Sequence, residues 1–165
     1  MISIESLIGA TEACIAARQT RLRTLGLGDG RNGAYLTVGY QRPGGIWMLW
    51  FMAPIGTIPD PEKAAKYARL SPKKLADMTT TEGEMLVLSS QNTNPVEEKF
   101  GGGIRIGRWL ISISGLTPDG DEVSAFRVAT EVGIITTAEA CATLGMFSPI
   151  GRETRFMEMT LHDWP

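Results

Sequence analysis

The sequence contains few of the residues that build metal centres and disulfide frameworks. Its 165 residues include one histidine and two cysteines. Cys14 and Cys141 lack the spacing of a zinc site or of a disulfide-rich scaffold. No segment approaches the ~18 consecutive apolar residues of a membrane span, and no basic segment precedes an apolar one at the N-terminus, as in a signal peptide. We therefore expect a cytoplasmic protein without a metal site or a membrane partner.

The chain also lacks an excess of either charge. The formal net charge is −2, and the 16 basic residues are scattered along the sequence. A nucleic-acid-binding surface needs clustered positive charge, so we expect no nucleic-acid partner. The length suits one compact domain, and we treat residues 1–165 as a single unit with a C-terminal extension from about residue 134.

Hydrophobic periodicity predicts one α+β domain with about five strands and four helices. Apolar residues recur at steps of three and four from 3 to 25, which predicts a first helix. Further helices are predicted to start at Asp60-Pro61, Thr117-Pro118 and Thr136. We expect Ser71-Pro72 to interrupt the second helix, because proline removes a backbone donor. The predicted strands cover 34–41, 46–52, 84–90, 104–106 and 109–114.

The strand predicted at 46–52 is apolar on both faces and contains two tryptophans and a phenylalanine. Such a strand is either central in its sheet or covered on both sides. A second copy of the chain is one possible cover, so we predict a homo-oligomer.

Two glycine motifs resemble nucleotide-binding loops without the context that this chemistry needs. Gly28, Gly30 and Gly33 have dinucleotide-loop spacing, but they follow a predicted helix and precede a strand, the reverse of the required order. The segment 102–107 resembles the start of a phosphate loop, but Arg108-Trp109 follows it where a lysine and a serine or threonine are needed. His162 lies near the end of the chain, and no serine elbow accompanies it.

Three consecutive glycines, Gly101, Gly102 and Gly103, form the strongest binding signal. Glycine costs backbone entropy, so such a run indicates a tight turn or the close approach of a ligand or subunit. We predict a ligand site there, with Ser114 and Tyr67 as nearby polar contacts.

Acid–base chemistry has few candidates in this chain. They are Asp121 and Glu122, with Lys63 on the second helix. The two acids also suit the first turn of a helix, where the helix dipole stabilises negative charge, and Lys63 also suits a solvated helix face.

Four segments together resemble the GlcG/HbpS family. They are GGIRIG at 102–107, LISISG at 110–115, TPDGDE at 117–122 and the Lys-Ala-rich segment KAAKYA at 63–68. The family includes haem-binding HbpS-like proteins and the C-terminal domain of PduO-type proteins. The resemblance covers roughly residues 3–133 and implies a profilin-like fold, with a central antiparallel sheet of about five strands flanked by helices. It also implies a homo-oligomer and a small-molecule or cofactor ligand, with haem or a corrinoid as candidates.

One family feature is missing. Members that ligate haem iron use a histidine on the first helix, and this chain has none there; Tyr67, Cys14, a methionine or His162 would have to replace it. Two alternatives to a binding protein remain open. One is a metal-free catabolic enzyme acting on a small organic acid or heterocycle, and the other is a non-catalytic assembly protein.

Overall fold

Four antiparallel strands form one sheet in the order β2-β1-β4-β3. The computed structural model describes residues 2–79 and 85–147. The helices are α1 (Ile4–Thr24), α2 (Pro61–Ala76), α3 (Pro118–Glu131) and α4 (Thr137–Phe147), and the strands are β1 (Gly33–Gln41), β2 (Trp47–Gly56), β3 (Gly103–Ile106) and β4 (Trp109–Ser114). The predicted α+β class and antiparallel sheet are confirmed.

Alternation along β4 separates the two faces of the sheet, because successive strand side chains point to opposite sides. Ile111 and Ile113 join the main hydrophobic core with Phe126 of α3 and Leu7 of α1. Ser112, between the two isoleucines, points to α2 on the other face and contacts Ser71. The main core therefore lies between the sheet and α1 and α3, while α2 covers the opposite face.

Local capping signals place the helix starts where the sequence predicts them. Ser3 caps α1, Asp60 caps α2, and Thr117 accepts a hydrogen bond from Gly120 at the start of α3. Gly26 follows α1 with φ of +67°, a conformation that glycine adopts without strain. The side-chain oxygens of Ser3, Asp60 and Thr117 satisfy N–H groups that a helix start leaves unpaired.

The predicted interruption at Ser71-Pro72 is wrong, since α2 continues to Ala76 with Pro72 inside it. Tertiary hydrogen bonds hold this turn against the sheet. The Thr37 hydroxyl donates to Ser71 Oγ at 2.8 Å, and the Ser71 hydroxyl reaches the Tyr35 carbonyl at 3.1 Å. These buried contacts offset the lost backbone bond and the steric cost of a proline within a helix.

The strand predicted at 84–90 is also wrong over the described residues 85–90, and the described sheet has four strands, not about five. Leu88 makes only an isolated bridge with Ile104, and a 3-10 helix begins at Ser89. The Gln91 side-chain oxygen accepts hydrogen bonds from the Val87 and Leu88 N–H groups at 3.0 and 2.8 Å. Because a side chain takes these donors, the segment does not form a strand ladder with β3.

The apolar strand β2 is an edge strand of the described sheet, which excludes the central position and leaves the alternative that its faces are covered. A β-bulge opposite Val38 and Gly39 interrupts its pairing with β1. Leu49 and Met52 remain 58% and 42% exposed. One edge of β2 and several of its apolar side chains thus face outward in the single chain.

The helix predicted from Thr136 is α4, which begins at Thr137. The rest of the predicted C-terminal extension, including His162, lies outside the described residues. None of the helices in the described parts of the chain has the length and apolarity to cross a membrane.

Candidate functional site

A narrow cleft opens between α2, the turn from β4 to α3, and the loop before β1. Its volume is about 180 Å³, and we name it the Tyr67 cleft. Tyr67 and Lys74 line it from α2, Ser114 from β4, and Asp121 from α3. These positions are distant in sequence, and the packing of α2 and α3 against the carboxyl end of β4 brings them together.

A buried ion pair lies in this cleft. Lys74 Nζ is 2.7 Å from Asp121 Oδ2 and donates a second hydrogen bond to the Ile113 carbonyl, also at 2.7 Å. The other oxygen, Asp121 Oδ1, accepts from the Leu116 N–H at 2.8 Å. Lys74 and Asp121 are only 2% and 4% exposed. The pair joins both helices to the end of β4.

Burial raises the pKa of Asp121 above its ordinary value, and the attraction and hydrogen bond of Lys74 oppose that rise. A buried carboxylate is costly unless it is paired and hydrogen-bonded, and both oxygens of Asp121 meet that condition. The cleft therefore holds a carboxyl whose proton affinity depends on an adjacent ammonium group. Such a group is suited to receiving or releasing a proton near a bound molecule.

The backbone at position 102 passes so close to this ion pair that only a glycine fits there. The φ of Gly102 is +118°, and a Cβ there would lie 2.6 Å from Asp121 Cβ, 2.7 Å from Lys74 Nζ and 2.8 Å from the Ile113 carbonyl oxygen. Its carbonyl also accepts a hydrogen bond from the Ile113 N–H at 3.0 Å. The glycine lets the backbone pass directly against the Lys74–Asp121 pair.

The other two glycines of the run pack against different parts of the chain. A Cβ on Gly101 would lie 3.3 Å from Ser90 Cβ and 3.5 Å from Glu122 Oε2, and one on Gly103 would lie 3.3 Å from Met78 Sδ. All three glycines are buried, and none is among the described residues that line the Tyr67 cleft. Their predicted contact with a ligand stays a prediction.

Ser114 and Tyr67, predicted as polar ligand contacts, both line the cleft. Ser114 is 3% exposed, and its hydroxyl has no hydrogen-bond partner in the described part of the chain. The phenol of the half-buried Tyr67 likewise has no partner there. Two hydroxyl groups from different elements therefore face one small space.

The remaining acid–base candidates do not meet at this point. Glu122 is fully buried beside Gly101 and does not line the described walls of the cleft. Lys63 is exposed, and its Nζ lies 3.7 Å from Asp60 Oδ2. Lys63 instead lines a neighbouring cleft of about 390 Å³, to which Tyr67 also contributes.

Arg31 lies where the two clefts meet. Its Nη1 donates to the Leu116 carbonyl, and its Nε is 3.8 Å from Asp29 Oδ2. Asp29 has a closer partner in Arg18, at 2.8 Å, whose hydrogen bond lowers the pKa of Asp29 to about 2. Arg31 thus keeps a fixed positive charge at the rim of the Tyr67 cleft.

The donor set does not fit haem. No histidine, cysteine or methionine is among the described residues lining either cleft. Of the side chains that usually ligate haem iron, these linings therefore offer only the phenol of Tyr67. Cys14 is fully buried, and desolvation raises the pKa of its thiol to about 11. The described residues hold no cluster of three or more side chains suited to a metal ion.

Sequence reasoning missed Lys74 and Arg31. A signal for Lys74 exists, because Tyr67, Leu70 and Lys74 recur at i, i+3 and i+7 and share one helix face. A lysine on the buried face of a helix indicates a buried partner. Arg31 lies in a glycine-rich loop and carries no comparable signal.

Comparison of the chain with protein-family models, with curated proteins and with solved structures gave no match. The Tyr67 cleft is consequently interpreted from its own residues.

Proposed function

We propose that this protein binds a small organic molecule in the Tyr67 cleft. The observation that carries the proposal is the hydroxyl of the buried Ser114, which faces the cleft without a partner in the described chain. Ser114 Oγ is not among the side-chain atoms of the described chain that are fully enclosed without a partner, so it is open to the cleft, where it can hydrogen-bond to another molecule. A ligand oxygen or nitrogen would supply the missing partner.

The neighbouring hydroxyls on the same face of the sheet make the Ser114 hydroxyl informative. The Thr37 hydroxyl donates to Ser71 at 2.8 Å, and the Ser112 hydroxyl lies 3.0 Å from Ser71 Oγ. Ser112 and Ser114 are two positions apart on the same strand. The chain thus satisfies the hydroxyls beneath α2 and leaves the one at the cleft for another molecule.

The resemblance to GlcG/HbpS proteins agrees with this proposal, and we extend the proposal to that family and its profilin-like fold. The order of helix, hairpin, helix, hairpin and helix is the order that the resemblance implies. Haem is not the ligand that we favour, because its usual axial donors are missing from the described walls of both clefts. A corrinoid remains one of the ligands to test.

The first experiment records native mass spectra and a visible absorption spectrum of the protein purified without added ligand, followed by titration with haem, a corrinoid and small aromatic acids. We expect a retained mass or a saturable change. Ser114→Ala and Tyr67→Phe should weaken binding, whereas Tyr40→Phe removes a phenol outside the cleft and should not. Absence of a retained mass, together with no binding at tens of micromolar, would contradict the proposal.

A metal-free enzyme is the second candidate, because the raised pKa of Asp121 and its contact with Lys74 suit proton transfer. Its substrate would be a small organic acid or heterocycle. Asp121→Asn keeps the shape of the side chain and removes its titratable proton. Loss of turnover in a folded variant would support catalysis, and unchanged turnover would exclude a role for this carboxyl.

We also propose that a second copy of the chain covers β2, in a homo-oligomer. An edge strand presents unpaired N–H and C=O groups, and antiparallel pairing of β2 with itself about a twofold axis would satisfy both partners with one surface. No charged residue occurs from 43 to 59, so two copies would meet there without repulsion between like charges. The same contact would serve a non-catalytic assembly protein.

The oligomer is tested by light scattering after size-exclusion chromatography. Met52→Lys puts a charge on the exposed face of β2 and should shift the protein to monomer. Val96→Lys is the matched control, because Val96 is 94% exposed and lies far along the chain from β2. A monomeric parent protein, or an oligomer that survives Met52→Lys, would count against pairing through β2.

A further inference from the structure

We propose that the Tyr67 cleft selects a small organic anion, with a carboxylate as its recognised group. The inference rests on the proposed function and adds the chemical class of the ligand.

Charge around the cleft favours an anion. Among the described residues that line it, three are cationic, Arg31, Lys66 and Lys74, and one is an acid, Asp121. Asp121 is already engaged by Lys74 Nζ and the Leu116 N–H. Neutralisation of Lys74 by Asp121 leaves the positive charges of Arg31 and Lys66 at the rim.

Nearby acids offset these two charges only in part, although Asp121 and Asp29 both attract Arg31. Asp29 lies 3.8 Å from Arg31 Nε, but its 2.8 Å contact is with Arg18. Lys66 has no salt bridge among the described residues. Glu98 acts on Lys66 only at longer range, and its carboxylate is held by the two terminal nitrogens of Arg69 at 2.6 and 2.9 Å.

Apart from Asp121, the polar side chains of the described cleft lining can donate to an oxyanion. The hydroxyls of Ser114 and Tyr67 are without partners in the described chain, and Lys66 adds an ammonium group. Arg31 donates one of its guanidinium N–H groups to the Leu116 carbonyl and has further N–H groups for a ligand. Guanidinium and ammonium groups form the strongest hydrogen bonds with carboxylates and phosphates.

Size and wall chemistry favour an organic acid over a nucleotide or a free inorganic ion. The volume of about 180 Å³ lies below the ~300–1,000 Å³ of sites for drug-sized ligands. Leu70, Phe100 and Pro118 give the cleft apolar walls. One ring or a short carbon chain bearing a single carboxylate matches both the space and the charge.

The test compares benzoate with benzamide, which has the same shape and no charge. Amide chemical shifts in two-dimensional NMR spectra are followed during titration of the full chain, with the signals of Tyr67, Ser114 and Gly115 as reporters. Charge-assisted hydrogen bonds exceed neutral ones by enough to give benzoate about a tenfold lower Kd. Raising sodium chloride from about 20 to about 500 mM should weaken benzoate alone.

Matched lysine variants locate the effect. Lys66→Met should weaken benzoate binding about two- to fivefold, as expected for a partly solvated charge, and Lys66→Arg should restore it. Lys73→Met removes the same charge from the same helix, but Lys73 pairs with Asp77 outside the cleft. Its Kd should stay at the parent value.

The outcomes separate the two proposals. Equal binding of benzoate and benzamide at the reporter amides would overturn anion selection and leave small-molecule binding intact. Equal losses of benzoate affinity in Lys66→Met and Lys73→Met would show that only the net charge of the protein matters, and would also overturn anion selection by the cleft. If neither probe shifts the reporters, anion selection fails, while a retained mass in the native spectrum would still support a different ligand.

Discussion

Substitution of Gly102 by alanine tests how closely the glycine run packs against the buried ion pair. The new Cβ would lie 2.6 Å from Asp121 Cβ and 2.8 Å from the Ile113 carbonyl oxygen. The third neighbour, Lys74 Nζ, is the end of a flexible chain and can move. The other two belong to α3 and to the backbone of β4, so the overlap cannot be relieved cheaply.

Two costs add in this variant. A non-glycine residue at φ of +118° is strained by about 1–3 kcal/mol. Overpacking in a closed site costs about 1–3 kcal/mol more. The expected loss in the free energy of unfolding is therefore about 4 kcal/mol, a large part of the ~5–15 kcal/mol that stabilises a typical domain.

Urea unfolding followed by tryptophan fluorescence and circular dichroism measures this loss. With an m-value of about 2 kcal/mol/M, the midpoint should fall by about 2 M. Gly107→Ala is the matched control, because Gly107 has φ of +54° and no atom lies within 4 Å of the position that a Cβ would occupy there. Its loss should be about 1 kcal/mol, from backbone strain alone. Equal losses in the two variants would refute close packing at Gly102.

Three further outcomes follow from buried or paired ionisable groups. Lys74→Met should cost about 3–5 kcal/mol in urea unfolding by leaving the Asp121 carboxylate buried and uncompensated; the double variant with Asp121→Asn should be more stable than Lys74→Met alone. The pKa of the Asp29 carboxyl should be near 2 by NMR and should rise towards its ordinary value in Arg18→Met, where the hydrogen bonds from Gln19 and the Arg31 N–H remain. Since its folded-state pKa is lowered, its stabilising contribution is present above about pH 4 and is lost as the pH falls towards 2, so stability in that window should depend less on pH in Arg18→Met. Finally, a thiol reagent should leave Cys14 unmodified in the native protein at about pH 8 and label it in denaturant, because the thiol is buried with a pKa of about 11.

The parts of the fold that sequence reasoning predicted are those that depend on neighbouring residues. The caps at Ser3, Asp60 and Thr117 satisfy helix N–H groups a few positions away, so their signals are visible in a short window. The predicted end of β2 at residue 52 was too early, because the strand passes through Pro54. Proline is tolerated on an edge strand, and edge position depends on the topology of the whole sheet.

The candidate site shows how one local error affected a longer-range inference. Tyr67, Ser114 and Asp121 were predicted and line one cleft, whereas Lys63 was named in place of Lys74. An expected break at Pro72 leaves the orientation of Lys74 undefined relative to Tyr67. In the continuous helix these two residues are seven positions apart and share the face that packs on the sheet. The buried contacts of Ser71 that keep α2 helical through Pro72 therefore also place the ammonium group of Lys74 beside Asp121.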